Sequence, residues 1–301
     1  MKKISSKSII VIFLLLVSVE GLRAQQEANL MLYRYHLNVI NPAVVGLNGE
    51  SWVNASFRRQ WVNVPDAPET GAFSFGVPVG NKLGMGLTFV QDRTFVERQT
   101  GVFMDFSYHI SLGQTSKLYF GLKAGGSNYA ITTSELETYN NQTDLALTDT
   151  SVFSPNIGVG LYLAQDQFYL ALSAPRLFIS QKAGDANGTA TLVSKRPHFY
   201  ASTGYDFIVS DRFEFSPSAW VQYVNGAPLA TTVLAMFTYS DRISLGMSYR
   251  TAETLSGIFS IKVNNRFVFG YGYESTLNQN LRADMGITHE FIVRLLLGKR
   301  D

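Results

Sequence analysis

The chain has no cysteine in its 301 residues, so it can build neither a disulfide scaffold nor a thiolate metal site. Charge is also scarce. Asp, Glu, Lys and Arg make up 16% of the sequence, against about 25% in an average soluble domain. Lys and Arg number 25 against 23 Asp and Glu, which leaves no basic excess for a nucleic acid. No apolar run approaches the roughly 20 residues that a helix needs to cross a bilayer. In contrast, apolar residues are 46%, aromatic residues 13% and glycines 25 in number. A chain this apolar and this nearly neutral is not disordered.

The first residues have the form of an export signal. Lys2, Lys3 and Lys7 precede the apolar run Ile9–Val17, and Leu22-Arg23-Ala24 leads into the polar Gln25-Gln26. This predicts a signal peptide over 1–24, cleaved after Ala24. No cysteine follows, which excludes a lipoprotein. The remaining chain is then periplasmic, secreted, or carried across a membrane by strands.

From residue 51 onward apolar residues alternate with small or polar ones. Val53, Ala55 and Phe57 alternate with Asn54, Ser56 and Arg58; Val102, Met104, Phe106 and Tyr108 alternate with Phe103, Asp105, Ser107 and His109. The same period of two recurs along the chain and predicts 14 antiparallel strands over 51–297, with 298–301 as a tail. Segments of this length exceed the usual strand of a soluble sheet. Their apolar parity suits lipid. Their polar parity is rich in Gly, Ser and Thr and carries Arg58, Asp105, Lys123, Asp206 and Arg282, which suits a lumen. Aromatic residues stand near strand ends, as in the girdles of membrane barrels.

Connections alternate between long and short. The long set is 62–69, 91–99, 130–153, 176–197, 225–229, 251–254 and 275–280. The short set is 79–82, 111–117, 165–166, 209–212, 240–242 and 264–265, with turn formers such as Gly80-Asn81 and Asn264-Asn265. A soluble sandwich has no reason to segregate lengths in this way. An outer-membrane barrel does, with short periplasmic turns, long extracellular loops and an even strand number that puts both termini in the periplasm. Pro217 falls inside a strand, where it cannot donate to the ladder, and predicts a bulge or kink. Residues 25–50 lack a clean period and are expected to cap or enter the periplasmic mouth as a plug segment.

Enzyme and metal signatures are weak. The four histidines His36, His109, His198 and His289 form no HExxH and no helical pair. Asp105, His109, His198 and Asp206 would make a hydrolase only if the barrel brought them together. The acidic stretch of Glu135, Glu137, Asp144 and Asp149 follows no calcium-loop spacing. The expectation is no catalysis, no metal and no cofactor.

A more specific signal lies in the first third. Met31 with Asn38-Val39-Ile40-Asn41-Pro42-Ala43-Val44-Val45-Gly46 resembles the opening signature of the PorP/SprF family. Arg58-Arg59-Gln60-Trp61 resembles its Arg-x-Gln-Trp element, and Ala67-Pro68-Glu69-Thr70 its Ala-Pro-x-Thr. Leu83-Gly84-Met85-Gly86-Leu87 with Asp92, and later His289-Glu290, fit the same order. The resemblance implies a non-enzymatic outer-membrane barrel of the type IX secretion and gliding system of Bacteroidota. Its implied partners are a secreted adhesin, through its C-terminal domain, or components of the secretion machinery and its periplasmic ring. The alternatives from barrel size alone are a porin-like channel and a transporter of hydrophobic ligands. A partner surface is expected on the long loops at Leu136, Leu145, Phe153, Leu177 and Phe178, which are apolar where a solvated spacer would not need it.

Overall fold

A computed structural model describes residues 30–133, 149–178, 196–251, 254–277 and 286–299. The strands run in chain order as β1 Glu50–Arg59, β2 Glu69–Val79, β3 Leu83–Thr94, β4 Glu97–Ser111, β5 Ser116–Ile131, β6 Thr150–Gln165, β7 Phe168–Arg176, β8 His198–Tyr205, β9 Phe207–Ser210, β10 Phe213–Val224, β11 Ala230–Tyr239, β12 Ile243–Arg250, β13 Thr254–Lys262, β14 Phe267–Thr276 and β15 Ile287–Lys299. All pairings are antiparallel between neighbours, and β15 pairs with β1, so the sheet closes on itself. Closure satisfies the strand donors and acceptors within the wall, the condition for crossing lipid with strands.

β8 and β9 form a single stave of the wall, which therefore has 14 staves. The break at Asp206 lies beside Pro217 of β10. Ser218 pairs with Gly204 and Phe215 with Phe207 in one continuous register, and Pro217 falls between them. The disturbance expected at Pro217 thus appears in the neighbouring strand, while β10 keeps its ladder to β11 through Pro217 and Ala235. The missing proline N–H interrupts only the side it would have faced.

Burial follows the period of two. Phe57, Phe106, Leu122, Val159, Leu172 and Phe259 are exposed on the outer face, while Asn54, Ser56, Arg58, Asp105, Ser107 and Lys123 are buried within. The turn end has only short connections, such as 80–82 between β2 and β3 and 166–167 between β6 and β7. The long connections, including 60–68 and 177–197, all lie at the opposite end.

Three boundaries differ from the sequence expectation. The β3–β4 connection is only residues 95–96, because the ladder continues from Gln91↔Thr100 to Thr94↔Glu97. The alternation is lost there because residues past the lipid band need no apolar face, yet the backbone still pairs. Phe153 is not in a loop but on the outer face of β6, since β5 and β6 pair out to Ile131↔Thr150. The last strand starts at Ile287 and runs to Lys299, matched to β1 down to Glu50. Residues 298 and 299 are therefore strand and not tail.

Candidate functional site

Small inward side chains leave a bore, and the segment Leu30–Gly49 fills it. This segment lies inside the lumen, from the level of Glu290 on β15 down to the turn end. Its local structure is a chain of single turns: 3-10 at Tyr33–Tyr35, α at Leu37–Ile40, then 3-10 at Pro42–Val44 and Leu47–Gly49. Asn41 is extended (φ −139°), as a residue before proline must be, and its Oδ1 accepts from Ala43 N–H at 2.9 Å. Gly46 turns the chain at φ 73° into the last turn before β1.

The plug starts in the half of the lumen nearest the long loops. Met31 N–H donates to Glu290 Oε2 (2.6 Å) and Leu32 N–H to Glu290 Oε1 (3.2 Å). Glu290 lies near the loop end of β15, beside Arg58 near the loop end of β1. Arg58 Nη2 contacts Glu274 Oε1 at 3.0 Å and its Nε lies 4.0 Å from Glu290 Oε2. Arg250 Nη1 lies 3.6 Å from Glu274 Oε2, and Ser256 Oγ donates to the same oxygen at 3.2 Å. Two arginines thus balance two glutamates with almost no water access, and the first backbone donors of the plug complete the set. Gln60 joins it: with its amide oxygen toward Arg58, it accepts from Nη1 at 2.7 Å and Nη2 at 3.0 Å.

Lower down, a polar relay crosses from plug to wall. Asn38 Nδ2 donates to Thr88 Oγ1 (3.0 Å), Thr88 Oγ1 to Asp105 Oδ2 (2.5 Å), and Lys123 Nζ is paired with Asp105 Oδ1 at 2.5 Å. Tyr33 packs edge-on against Trp220 in an apolar cluster with Leu30, Leu32, Leu234, Met236, Ile258 and Ile292. Arg34 reaches Asp206 at 3.3 Å.

Nearest the turn end the backbone of the plug lies directly on the wall. A Cβ built on Gly121 would overlap Ala43 N, one on Gly160 would overlap Asn41 Oδ1, and one on Gly84 would overlap Val45 O. Ser107 Oγ donates to Val45 O, and Asn41 Nδ2 to Leu161 O at 3.0 Å. The signature residues Asn41, Pro42, Ala43 and Gly46 are therefore the parts of the plug that fit a trench of wall glycines. Trp61 sits half-buried in the β1–β2 connection at φ 45°, where Gln60 N–H donates to Pro68 O at 2.9 Å. That bond ties the Arg-x-Gln-Trp element to the Ala-Pro element.

Arg58, Asp105 and Lys123 point into the lumen; Asp206, at the β8–β9 break, meets the plug. Arg282, Leu136 and Leu145 lie outside the described residues. Leu177 and Phe178 follow β7, half-buried and exposed respectively. Asp105, His109, His198 and Asp206 are not brought together: His109 packs at a tilt against Tyr119, and His198 Nδ1 bonds Gln222 Nε2 at 3.0 Å on another wall. Among the described residues no group of His, Asp and Glu could hold a metal. Sequence reasoning missed Glu274 and gave no role to the plug's own His36, which is 1% exposed with neither ring nitrogen hydrogen-bonded. Burial, with Arg294 nearby, pushes its imidazole down to about 3.

Fold and site together define an outer-membrane β-barrel whose lumen is occupied by its own N-terminal segment. The sequence model of the type IX secretion system membrane protein family PorP/SprF matches residues 22–295, and the chain belongs to that family. No curated protein matches it significantly. Among solved structures, Omp33 of Acinetobacter baumannii is 9% identical with a TM-score of 0.47, covering 82% of this chain and 99% of that one. The toluene transporter TbuX of Ralstonia pickettii is 12% identical (TM-score 0.48; 86% and 92% covered). A FadL homologue of Pseudomonas aeruginosa is 11% identical (TM-score 0.46; 85% and 91% covered).

Proposed function

We propose that this barrel is a closed, non-enzymatic scaffold of type IX secretion, which holds a secreted adhesin or a machinery component at the cell surface and does not conduct solutes. The observation that carries this reading is the filled lumen. A 14-stave barrel is wide enough for a channel, yet Leu30–Gly49 occupies the bore and seats its backbone on wall glycines. An open diffusion channel would need that segment to leave the bore. Family membership supports a place among secretion components.

We place the turn end in the periplasm and the long loops outside, following the length rule for such barrels. The partner then meets the long connections. Phe153 at the loop end of β6, 64% exposed, and Phe178, 50% exposed, stand on that side. The test is a pair of deletions in cells, residues 134–149 or 179–194, each replaced by a short Gly-Ser bridge. Barrels that still assemble but no longer support adhesin export or retention bear out the reading. Unchanged adhesin display with both deletions overturns the loop assignment.

A further inference from the structure

The turn end of the barrel carries a strand segment that its neighbour on one side leaves uncovered. β7 begins at Phe168, paired with Tyr205, and the last bond on that side runs from Asp206 N–H to Gln167 O at 2.9 Å. β9 continues for four more residues and pairs with β10 alone. Asp206 N–H points toward β7, so by the two-residue repeat Ile208 N–H points the same way, past the end of β7. Along this edge the described residues supply no ladder partner. An open row of strand donors and acceptors is a template for another strand.

The side chains agree with the backbone. Phe207 lies on the outer face in an aromatic row, 4.4 Å from Tyr205 and 6.1 Å from Phe215, which itself lies 4.6 Å from Phe237. This row holds β9 firmly against β10. Ile208 has the opposite parity and is 66% exposed; Val209, the extra residue of a bulge against Phe213 and Glu214, is 68% exposed. Lipid reaches only the outer face of a barrel, so it does not account for Ile208. Three other strands step past a neighbour at this end and offer less. β15 leaves extended geometry at Gly298 (φ 117°), β4 ends in a half-buried Ile110 and an exposed Ser111, and β2 runs past its last pair with β1, Trp52↔Gly76, through Pro78, which has no N–H to offer. The β9 slot is flanked by exposed Asp166 and Asp211 and by the exposed Arg212, while Arg34 of the plug is paired with Asp206.

We infer that Phe207–Ser210 is a docking edge for an extended segment of a partner protein on the turn-end side of the membrane. The segment adds as a strand, sets an apolar side chain against Ile208, and directs a Lys or Arg toward Asp166 and Asp211. This face is opposite the long loops, so the inference stands or falls separately from the proposed function.

The test uses the full-length protein in cells, with the photo-crosslinker p-benzoylphenylalanine at Ser210, and amide exchange over 207–210 in native membranes and after detergent purification. The inference predicts that Ile208 exchanges at least about tenfold more slowly in membranes. A wash in about 0.5 M salt should remove that protection, because it screens the aspartates. The adduct should map to an alternately apolar segment bearing Lys or Arg. Ile208→Pro deletes the edge donor while leaving the β10 ladder, and should abolish the adduct in a barrel that still migrates as folded. If that variant fails to assemble, Asp166→Lys with Asp211→Lys should lower the adduct yield instead. Equal exchange in both preparations, adducts only on lipid or a second copy of this chain, or an adduct indifferent to both sets of substitutions would overturn it.

Discussion

Glu290 is the residue on which the upper part of the plug depends. It is fully buried, accepts from two plug amides and faces Arg58. Removing one partner of a buried pair costs about 3–5 kcal/mol, since it strands the other charge. Glu290→Ala should therefore lower the thermal midpoint of the purified barrel by far more than Glu69→Ala, whose pair with Arg59 is half exposed. His36 gives a pH dependence of definite sign. Its folded value is depressed to about 3, while an unfolded or unseated His titrates near 6.5. Plug seating is thus unaffected by this group above about 6.5 and weakens steadily as pH falls toward 3, because the released state takes up the proton. Thermal unfolding between pH 7 and 4 checks this, and His36→Leu should flatten the dependence. The sequence pointed to the residues of this region only in part. Asn41, Pro42 and Ala43 stood out by resemblance, but nothing in an irregular stretch tells which wall glycine it will touch.

Strands were the most legible element, because lipid on one side and a lumen on the other impose a strict period of two. Legibility ended where the lipid did. Gln91 to Arg93 and Thr150 to Phe153 pair as strands without needing an apolar parity, so they read as loop. Lipid exposure also sets a measurable cost. Phe106→Arg on the outer face of β4 should cost roughly 2–4 kcal/mol and reduce the yield of folded barrel, read as heat-modifiable migration on a gel. At Pro217 the absent N–H splits a stave. Pro217→Val should restore one cross-strand bond, slow amide exchange around Tyr205–Phe207 and stabilise the barrel by about 0.5–1.5 kcal/mol.

For the whole molecule, the central claim is that the bore is shut by the chain itself. Both layers of the lumen, the charged set around Glu290 and the glycine trench around Ala43, are made jointly by wall and plug. Neither is complete without Leu30–Gly49. The sequence marked 25–50 as a plug segment, but its wall partners were invisible there, since Met31 and Glu290 stand at opposite ends and Gly121 reads as one more small residue in a strand. The most direct measurement is single-channel conductance in planar bilayers, comparing the intact protein with Gly121→Leu, whose side chain would occupy the space of Ala43. The intact barrel should show no steady conductance, and the variant should open the bore. Stable ion-conducting steps from the intact, fully folded protein would contradict the account.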